Sequence, residues 1–389
     1  MKKALLILLA LVMLFPLAAG GSKEDGTTVR IGVFEPASGD NGAGGKQETL
    51  GIQYANSLAP TVDIDGTTYN VELVIVDNES SNDRAATAAS MLVNEDVSVV
   101  LGSYGSGVSI AGSDTFRAAG VPAIGITCTN PQVTEGNTHY FRICYLDPFQ
   151  GTVLANYAYN ELGARTAYCL AKLGDDYSGG LVNYFIQQFE ALGGTCISET
   201  FPDGNSDFTS YVNNAKNSGA EVFFSPVSTE AAQLIIDQSS SQGLGIPILA
   251  GDTWDSNVIL QAAKGKSNVD ITVTTFYPEG ANPEFDAGFQ EWVNADSTRL
   301  ANNGGDDTVA AVTAMGFDAY NFALQAIKNA GSTDPADVME ALWTTETDGV
   351  TGHIALEKVN GDAIRNTVYV KHCNTDTGAW DALPAVVVE

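Results

Sequence analysis

Apolar and polar positions along this chain form a regular succession of short β-like runs and longer amphipathic segments. The runs that predict strands in the first part of the chain are 28–34, 69–76, 99–101, 121–126 and 140–145. The segments that predict helices between them are 46–58, 83–94 and 109–119. Strands that alternate with helices in this way are typical of a doubly wound α/β lobe with a parallel sheet.

The same rhythm restarts after Asp147. The later predicted strands are 165–171, 195–201, 221–225, 247–250 and 271–276, with two short ones at 353–356 and 367–372. The later predicted helices are 150–161, 180–192, 207–218, 229–242, 308–330 and 337–343. The pattern therefore predicts a second α/β lobe built on a similar plan.

Composition and charge narrow the class of protein. With 389 residues and 44% hydrophobic content, the chain is large enough for two ordinary domains. Its 47 acidic and 18 basic side chains give a formal net charge of −29. This charge argues against nucleic acid or an anionic membrane surface as a partner.

The N-terminus has the pattern of a secretory signal peptide, predicted over residues 1–21. Lys2 and Lys3 precede an apolar run, 4–15, that is followed by small residues. Export to the periplasm or the extracytoplasmic cell surface is therefore predicted. Gly21 stands where a bacterial lipoprotein box requires a cysteine, which leaves lipid attachment open.

Five cysteines are an odd number for an exported chain. Cys169 with Cys196, or Cys128 with Cys144, are candidate disulfides, and buried thiols are the alternative. None of the spacings fits a zinc site, and no cofactor or metal is predicted.

The glycine-rich loop 35–45, EPASGDNGAGG, follows the first strand and resembles a nucleotide loop only superficially. A phosphate loop would need glycine at Asp40 and serine or threonine at Gln47. We interpret this loop as one lip of a ligand cleft.

The unit 99–131 combines two predicted strands with a helix and carries the candidate binding chemistry. Parallel strands deliver their carboxyl ends to one sheet edge, so Ser106, Thr127 and Thr129 are expected to face one crevice. Ser106 would lie at a helix N-terminus, where free N–H groups favour an anion such as a carboxylate. The alternative is that Ser106 is only a helix cap and the threonines are structural.

Catalytic motifs are missing from the sequence. His139, His353 and His372 fit no metal or triad pattern, and there is neither an H-E-x-x-H nor a G-x-S-x-G motif. The chain is therefore predicted not to be an enzyme.

Six segments in the same order resemble the type I periplasmic binding proteins, in the branched-chain amino acid receptor family of ABC importers. They are VFEPASGDNGAGG, LGSYGSGVSI, GITCTNPQVT, FRICYLDPFQG, LGDDYSGGL and LAGDTWDS. The resemblance implies two doubly wound lobes joined by three hinge crossovers near Asp147, Val273 and Gly349. The first lobe would comprise 27–147 and 274–349, and the second 148–273 and 350–389.

The resemblance also implies roles for individual residues. Ser106 would hold the ligand carboxylate, and Thr127 and Thr129 would bind carboxylate and ammonium. From the second lobe, Tyr177 would close over the ligand, Asp252 would bind the ammonium, and Trp254 would form a cleft wall. A shift of one residue would put Thr253 in the place of Asp252.

The resulting hypothesis is a receptor that captures an amino acid and delivers it to the permease subunits of an ABC importer. A branched-chain aliphatic amino acid is the default ligand from the resemblance. Contact with the membrane would occur only through the transporter. The alternative is a sensor of the same fold that reports an amino acid or amide to a signalling partner.

Overall fold

The computed structural model describes residues 27–387, and the predicted signal peptide, residues 1–21, lies outside them. The first sheet has six strands in the order β2-β3-β1-β4-β5-β6. They are β1 (Thr28–Glu35), β2 (Thr61–Ile64), β3 (Thr67–Asp77), β4 (Val99–Gly102), β5 (Ala123–Gly125) and β6 (Tyr140–Arg142). All neighbours are parallel except β2, which pairs antiparallel with β3 at the sheet edge.

Three helices connect these strands: α1 (Gly42–Leu58), α2 (Asn82–Val93) and α3 (Ser106–Ala119). Alternate residues of β1 point to opposite faces of the sheet, so both faces carry a core. Phe34 packs with the buried side chains of α2 and α3. Ile31 and Val33 pack on the other face with α1 and a later helix.

The second sheet begins after α4 (Asp147–Asn156), which continues into a π turn at Tyr157–Glu161. Its parallel strands are β7 (Thr166–Lys172), β8 (Thr195–Phe201), β9 (Val222–Phe224), β10 (Ile248–Ala250) and β11 (Ile271–Thr275). The helices between them are α5 (Asp176–Ala191), α6 (Thr209–Asn217), α7 (Thr229–Gln242) and α8 (Asn257–Ala263).

The chain then returns to the first sheet. The helices that follow are α9 (Pro283–Asn294), α10 (Ser297–Asn302), α11 (Ala311–Ala330) and α12 (Pro335–Leu342), and a hairpin of β12 (Glu346–Gly349) and β13 (Gly352–Ala355) comes next. A Cβ on Gly51 of α1 would lie 1.9 Å from the carbonyl oxygen of Thr313 on α11. Glycine at this position therefore lets the two helix backbones touch.

The last strands are β14 (Thr367–Asn374), β15 (Ala379–Ala382) and β16 (Val386–Val387). They extend the second sheet antiparallel, giving the order β15-β14-β11-β10-β9-β7-β8 with β16 on β14. The predicted fold class, two α/β lobes with mostly parallel sheets, is confirmed. The chain passes between the two sheets three times, after β6, after β11 and before β14.

Two further features bear on the sequence predictions. All five cysteines are unpaired and four are buried, so neither candidate disulfide is present and the alternative of buried thiols applies to those four. No helix within residues 27–387 has the length and apolar character needed to cross a bilayer.

Candidate ligand-binding site

Ser106 is the first residue of α3, at the carboxyl edge of the first sheet. β4 ends at Gly102, and Gly105 occupies the helix cap position. Ser106 is buried, and its Oγ accepts a hydrogen bond of 3.3 Å from the backbone N–H of Asn130. The serine is therefore not the cap. It lies in the first turn, where backbone N–H groups lack partners within the helix.

A cavity of about 50 Å³ lies where the loops of the two sheets meet. The first-sheet side contributes Asp40, Asn41, Ser80, Tyr104, Gly105 and Ser106. The second-sheet side contributes Lys172, Asp175, Tyr177, Ser228 and Thr253. This volume holds a few water molecules and is well below the several hundred Å³ of typical ligand pockets. Ligand entry at this place requires the two sides to separate.

Direct contacts hold the two sides of the cavity together. Lys172 Nζ lies 2.6 Å from Asp40 Oδ2, and the hydroxyl of Tyr104 donates to the carbonyl oxygen of Thr253 at 3.4 Å. Deeper between the sheets, Gln47 Nε2 donates to Asn257 Oδ1 at 2.9 Å. The structure is therefore a closed conformation.

Asp252 lies behind Tyr177, away from the cavity surface. Its Oδ1 accepts hydrogen bonds of 2.9 Å from the Tyr177 hydroxyl and from Gln150 Nε2. Burial raises the pKa of Asp252 to about 6. Thr253, the alternative to Asp252 as the predicted ammonium contact, lines the cavity together with Tyr177. Asp252 lies one layer deeper.

Thr127 and Thr129 follow β5 and are buried next to the site. The hydroxyl of Thr127 donates to Glu48 Oε2 at 2.6 Å, so a carboxylate of α1 already occupies this donor. The hydroxyl of Thr129 is buried without a close hydrogen-bond partner among the described residues, but it lies beside the Asp147 carboxyl and lowers the pKa of that group. Neither threonine lines the cavity in this closed conformation.

Trp254 does not form a cleft wall. It is fully buried in the core between the second sheet and its helices, and its Nε1 donates to the carbonyl oxygen of Val227 at 3.1 Å. The 3-10 turn Asp252–Trp254 directs the indole into that core. The expectation that Trp254 lines the cleft is therefore wrong for this structure.

Two buried carboxyl groups lie under the site without a basic partner among the described contacts. The pKa of Glu35 is raised well above its usual range by burial and by the charge of Glu48. Burial raises the pKa of Glu48 to about 7. Glu35 Oε2 accepts a hydrogen bond of 2.7 Å from the backbone N–H of Tyr104. Two facing carboxyls in an apolar surrounding hold a proton between them at neutral pH.

Several cavity residues were not predicted from the sequence. Asp40 and Asn41 lie in the loop predicted as a cleft lip, but neither was singled out, and Tyr104, Lys172 and Ser228 were not predicted. Each of them follows or ends a parallel strand, namely β1, β4, β7 or β9. A search for polar residues at the carboxyl ends of the predicted parallel strands would have identified them.

Comparisons with known proteins identify the family to which this fold belongs. Residues 28–378 match the family described as periplasmic binding protein. An amino acid binding protein of Pseudomonas aeruginosa is 30% identical over 371 residues, which cover 92% of each chain.

Two solved structures share the fold over nearly their whole length. A leucine binding protein from Thermotoga maritima has a TM-score of 0.79 and 32% identity, and the match covers 92% of this chain and 99% of that one. The branched-chain amino acid transporter substrate-binding protein of Streptococcus pneumoniae, in complex with isoleucine, has a TM-score of 0.78 and 25% identity, covering 93% and 99%. The chain therefore belongs to the periplasmic binding protein family and is a non-enzymatic solute-binding protein of the kind that serves ABC transporters.

Proposed function

We propose that this chain captures a small α-amino acid between its two lobes and delivers it to the permease subunits of an ABC importer. The main support for this proposal is that groups suited to the two charges of an amino acid lie on opposite sides of the cavity. The N-terminus of α3 with Ser106 lies on one side, and Tyr177, hydrogen-bonded to Asp252, lies on the other.

This pairing suits a zwitterion. Free N–H groups and the dipole at the start of α3, together with the Ser106 hydroxyl, bind the ligand carboxylate. Asp252, reached beside Tyr177, supplies the opposite charge for the ammonium group, and Thr129 lies close by with its hydroxyl beside the Asp147 carboxyl. The Thr127 hydroxyl is held by Glu48 and would have to break that hydrogen bond to bind the ligand. In our proposal Thr127 therefore contacts the ligand through its backbone groups.

Binding and closure are one event in this proposal, since the contacts between Lys172 and Asp40 form only when the lobes meet. The moving units in this proposal are 27–147 with 274–365, and 148–273 with the C-terminal part of the chain after 365. Val350 and Thr351 donate to the Asp318 carboxylate, and Arg142 pairs with Asp362 at 2.6 Å. These contacts attach 350–365 to the first lobe and favour a third crossover near Asn366 rather than near Gly349.

The predicted signal peptide, residues 1–21, supports export before binding. The three similar proteins described above are an amino acid binding protein, a leucine binding protein and a branched-chain amino acid transporter substrate-binding protein in complex with isoleucine. Free amino acids, starting with the branched-chain ones, are therefore the first ligands to test.

A thermal denaturation screen of the purified protein against the proteinogenic amino acids tests the proposal. A ligand at one hundred times its dissociation constant stabilises the folded state by about 2.7 kcal/mol, which is a clear shift of the melting temperature. The expected result is a shift with at least one amino acid, reduced in a Ser106→Ala variant. A flat response to the whole panel would show that the ligand is not an amino acid.

A further inference from the structure

The lining of the cavity is polar almost throughout. Among the described residues that line it, none is Ala, Val, Leu, Ile, Met or Phe, and the only large rings are those of Tyr104 and Tyr177. Ligand pockets are usually lined by apolar side chains with a few polar groups. This lining therefore offers little apolar surface to an aliphatic ligand side chain.

Asn41 lies on this lining with unused hydrogen-bonding capacity. Its Oδ1 is buried and has no hydrogen-bond partner among the described residues. Asn41 occupies the cap position of α1, but its side chain makes no capping hydrogen bond there. A buried amide oxygen without a partner costs free energy, and a ligand group that donates a hydrogen bond would remove that cost.

Tyr104 limits the size of the ligand. A Cβ on Gly44 would lie 2.5 Å from the Tyr104 ring, so the ring fills the space that a side chain at position 44 would take. The Tyr104 hydroxyl bridges to the second-sheet side through the Thr253 carbonyl oxygen. Ring and hydroxyl together restrict the cavity to a short ligand side chain.

Charged groups on the lining already have partners. Lys172 lies 2.6 Å from both Asp40 and Asp203. Asp175 caps α5 by accepting a hydrogen bond of 2.8 Å from the backbone N–H of Ser178. Lys172 is thus engaged by two carboxylates and Asp175 by the start of α5, whereas the Asn41 amide oxygen has no hydrogen-bond partner among the described residues.

We propose that the ligand is an α-amino acid with a short, uncharged, hydrogen-bonding side chain, a hydroxyl or a carboxamide, and that Asn41 recognises that side chain. This proposal rests on the proposed function and names the ligand class of the same site. A methyl group placed against Asn41 would leave its amide buried and unpaired, whereas a hydroxyl or amide satisfies it.

Two pairs of amino acids of nearly equal shape test the ligand class: threonine with valine, and asparagine with leucine. Calorimetric dissociation constants of the purified protein are expected to favour threonine and asparagine by about tenfold or more, because a lost buried hydrogen bond costs about 1–3 kcal/mol. If valine or leucine binds equally or more tightly, the proposed ligand class is wrong and the amino acid receptor function stands. If no amino acid binds, the proposed function fails, and this inference fails with it.

The role of Asn41 is tested by Asn41→Leu, a change of nearly equal volume. The ratio of valine to threonine dissociation constants is expected to fall at least threefold in this variant. Asn183→Leu, at an exposed position of α5, is the matched control and should leave the ratio unchanged. Melting temperatures of both variants check that they fold. A folded Asn41→Leu protein with an unaltered ratio would exclude Asn41 as the recognition group.

Discussion

Lys172 at the end of β7 and Asp40 in the loop after β1 form an ion pair of 2.6 Å that joins the two sides of the cavity. Lys172 also lies 2.6 Å from Asp203, which belongs to its own side. Asp40, Lys172 and Asp203 thus form a small cluster of charged side chains. Within this cluster, only the contact between Lys172 and Asp40 joins the two sheets.

We therefore expect Asp40→Asn to weaken ligand binding about two- to fivefold while the melting temperature of the free protein stays nearly unchanged. Because the ion pair is partly exposed, it stabilises the protein by at most about 1 kcal/mol. It stabilises only the closed conformation, in which the two side chains meet. Calorimetry of the two proteins measures the change. Asp203→Asn is the matched control, and an equal loss of affinity in both variants would contradict a role in closure.

Ser106→Ala should reduce amino acid affinity by about tenfold, since a hydrogen bond to a charged group contributes about 1.5–3 kcal/mol. Folding should be little affected because, within residues 27–387, the Ser106 hydroxyl accepts one long hydrogen bond, from Asn130 at 3.3 Å. Fluorescence titration and urea denaturation separate the two effects. Unchanged affinity would remove the start of α3 from the binding site.

Asp252→Asn should also reduce affinity about tenfold near pH 7.5, with a loss of pH dependence. The substitution keeps an oxygen for Tyr177 and Gln150 but removes the charge that attracts an ammonium group. Because the pKa of Asp252 is about 6, affinity of the unchanged protein should fall as the pH drops through about 6. Titrations between pH 5 and 8 check this, and parallel curves for both proteins would argue against Asp252 as the ammonium partner.

The stability of the ligand-free protein should fall as the pH rises from about 4 to 8. Burial raises the pKa of Glu48 to about 7 and that of Asp147 to about 8, so the folded state binds more protons than the unfolded chain in this window. Each pKa unit by which the folded and unfolded states differ corresponds to about 1.4 kcal/mol of stability lost across this window.

Glu48→Gln should flatten this pH profile because the amide does not titrate and still accepts the Thr127 hydroxyl. Urea unfolding at each pH gives the free energy of unfolding of both proteins. A profile that rises over the same window, or an unaltered slope in the variant, would show that Glu48 is not protonated in the folded state.

Arg142 is fully buried and pairs with Asp362 at 2.6 Å. It also donates to the carbonyl oxygens of Cys128 and Asn130 at 2.8 and 2.6 Å, which fixes the loop that carries Thr129. Asp362→Ala should lower the free energy of unfolding by about 3–5 kcal/mol because a buried guanidinium is left without its counter-ion. Denaturant unfolding measures the change, and a cost below about 1 kcal/mol would mean that water reaches Arg142 readily.

Hydrophobic periodicity in the sequence was sufficient to predict most strands and helices and the two α/β lobes. The strand 195–201 and the helix 229–242 have the predicted bounds, whereas α3 begins at Ser106, three residues before the predicted 109. α9 was not predicted, although Phe285, Phe289 and Val293 lie on one face of it and Asn282 with Pro283 marks its start. Short-range patterns carry this information because helix and strand periods are local properties of the chain.

The sequence by itself therefore determined the layered fold and the place of Ser106 at a helix start on the carboxyl edge of the first sheet. Only the tertiary structure decided that the Thr127 hydroxyl is held by Glu48, that Trp254 faces a core, and that Asn41 and Tyr104 line the cavity. The physical reason is that these outcomes depend on contacts between segments distant in sequence. The packing of the sheets and helices decides which polar groups come into contact. Local sequence patterns do not contain this information.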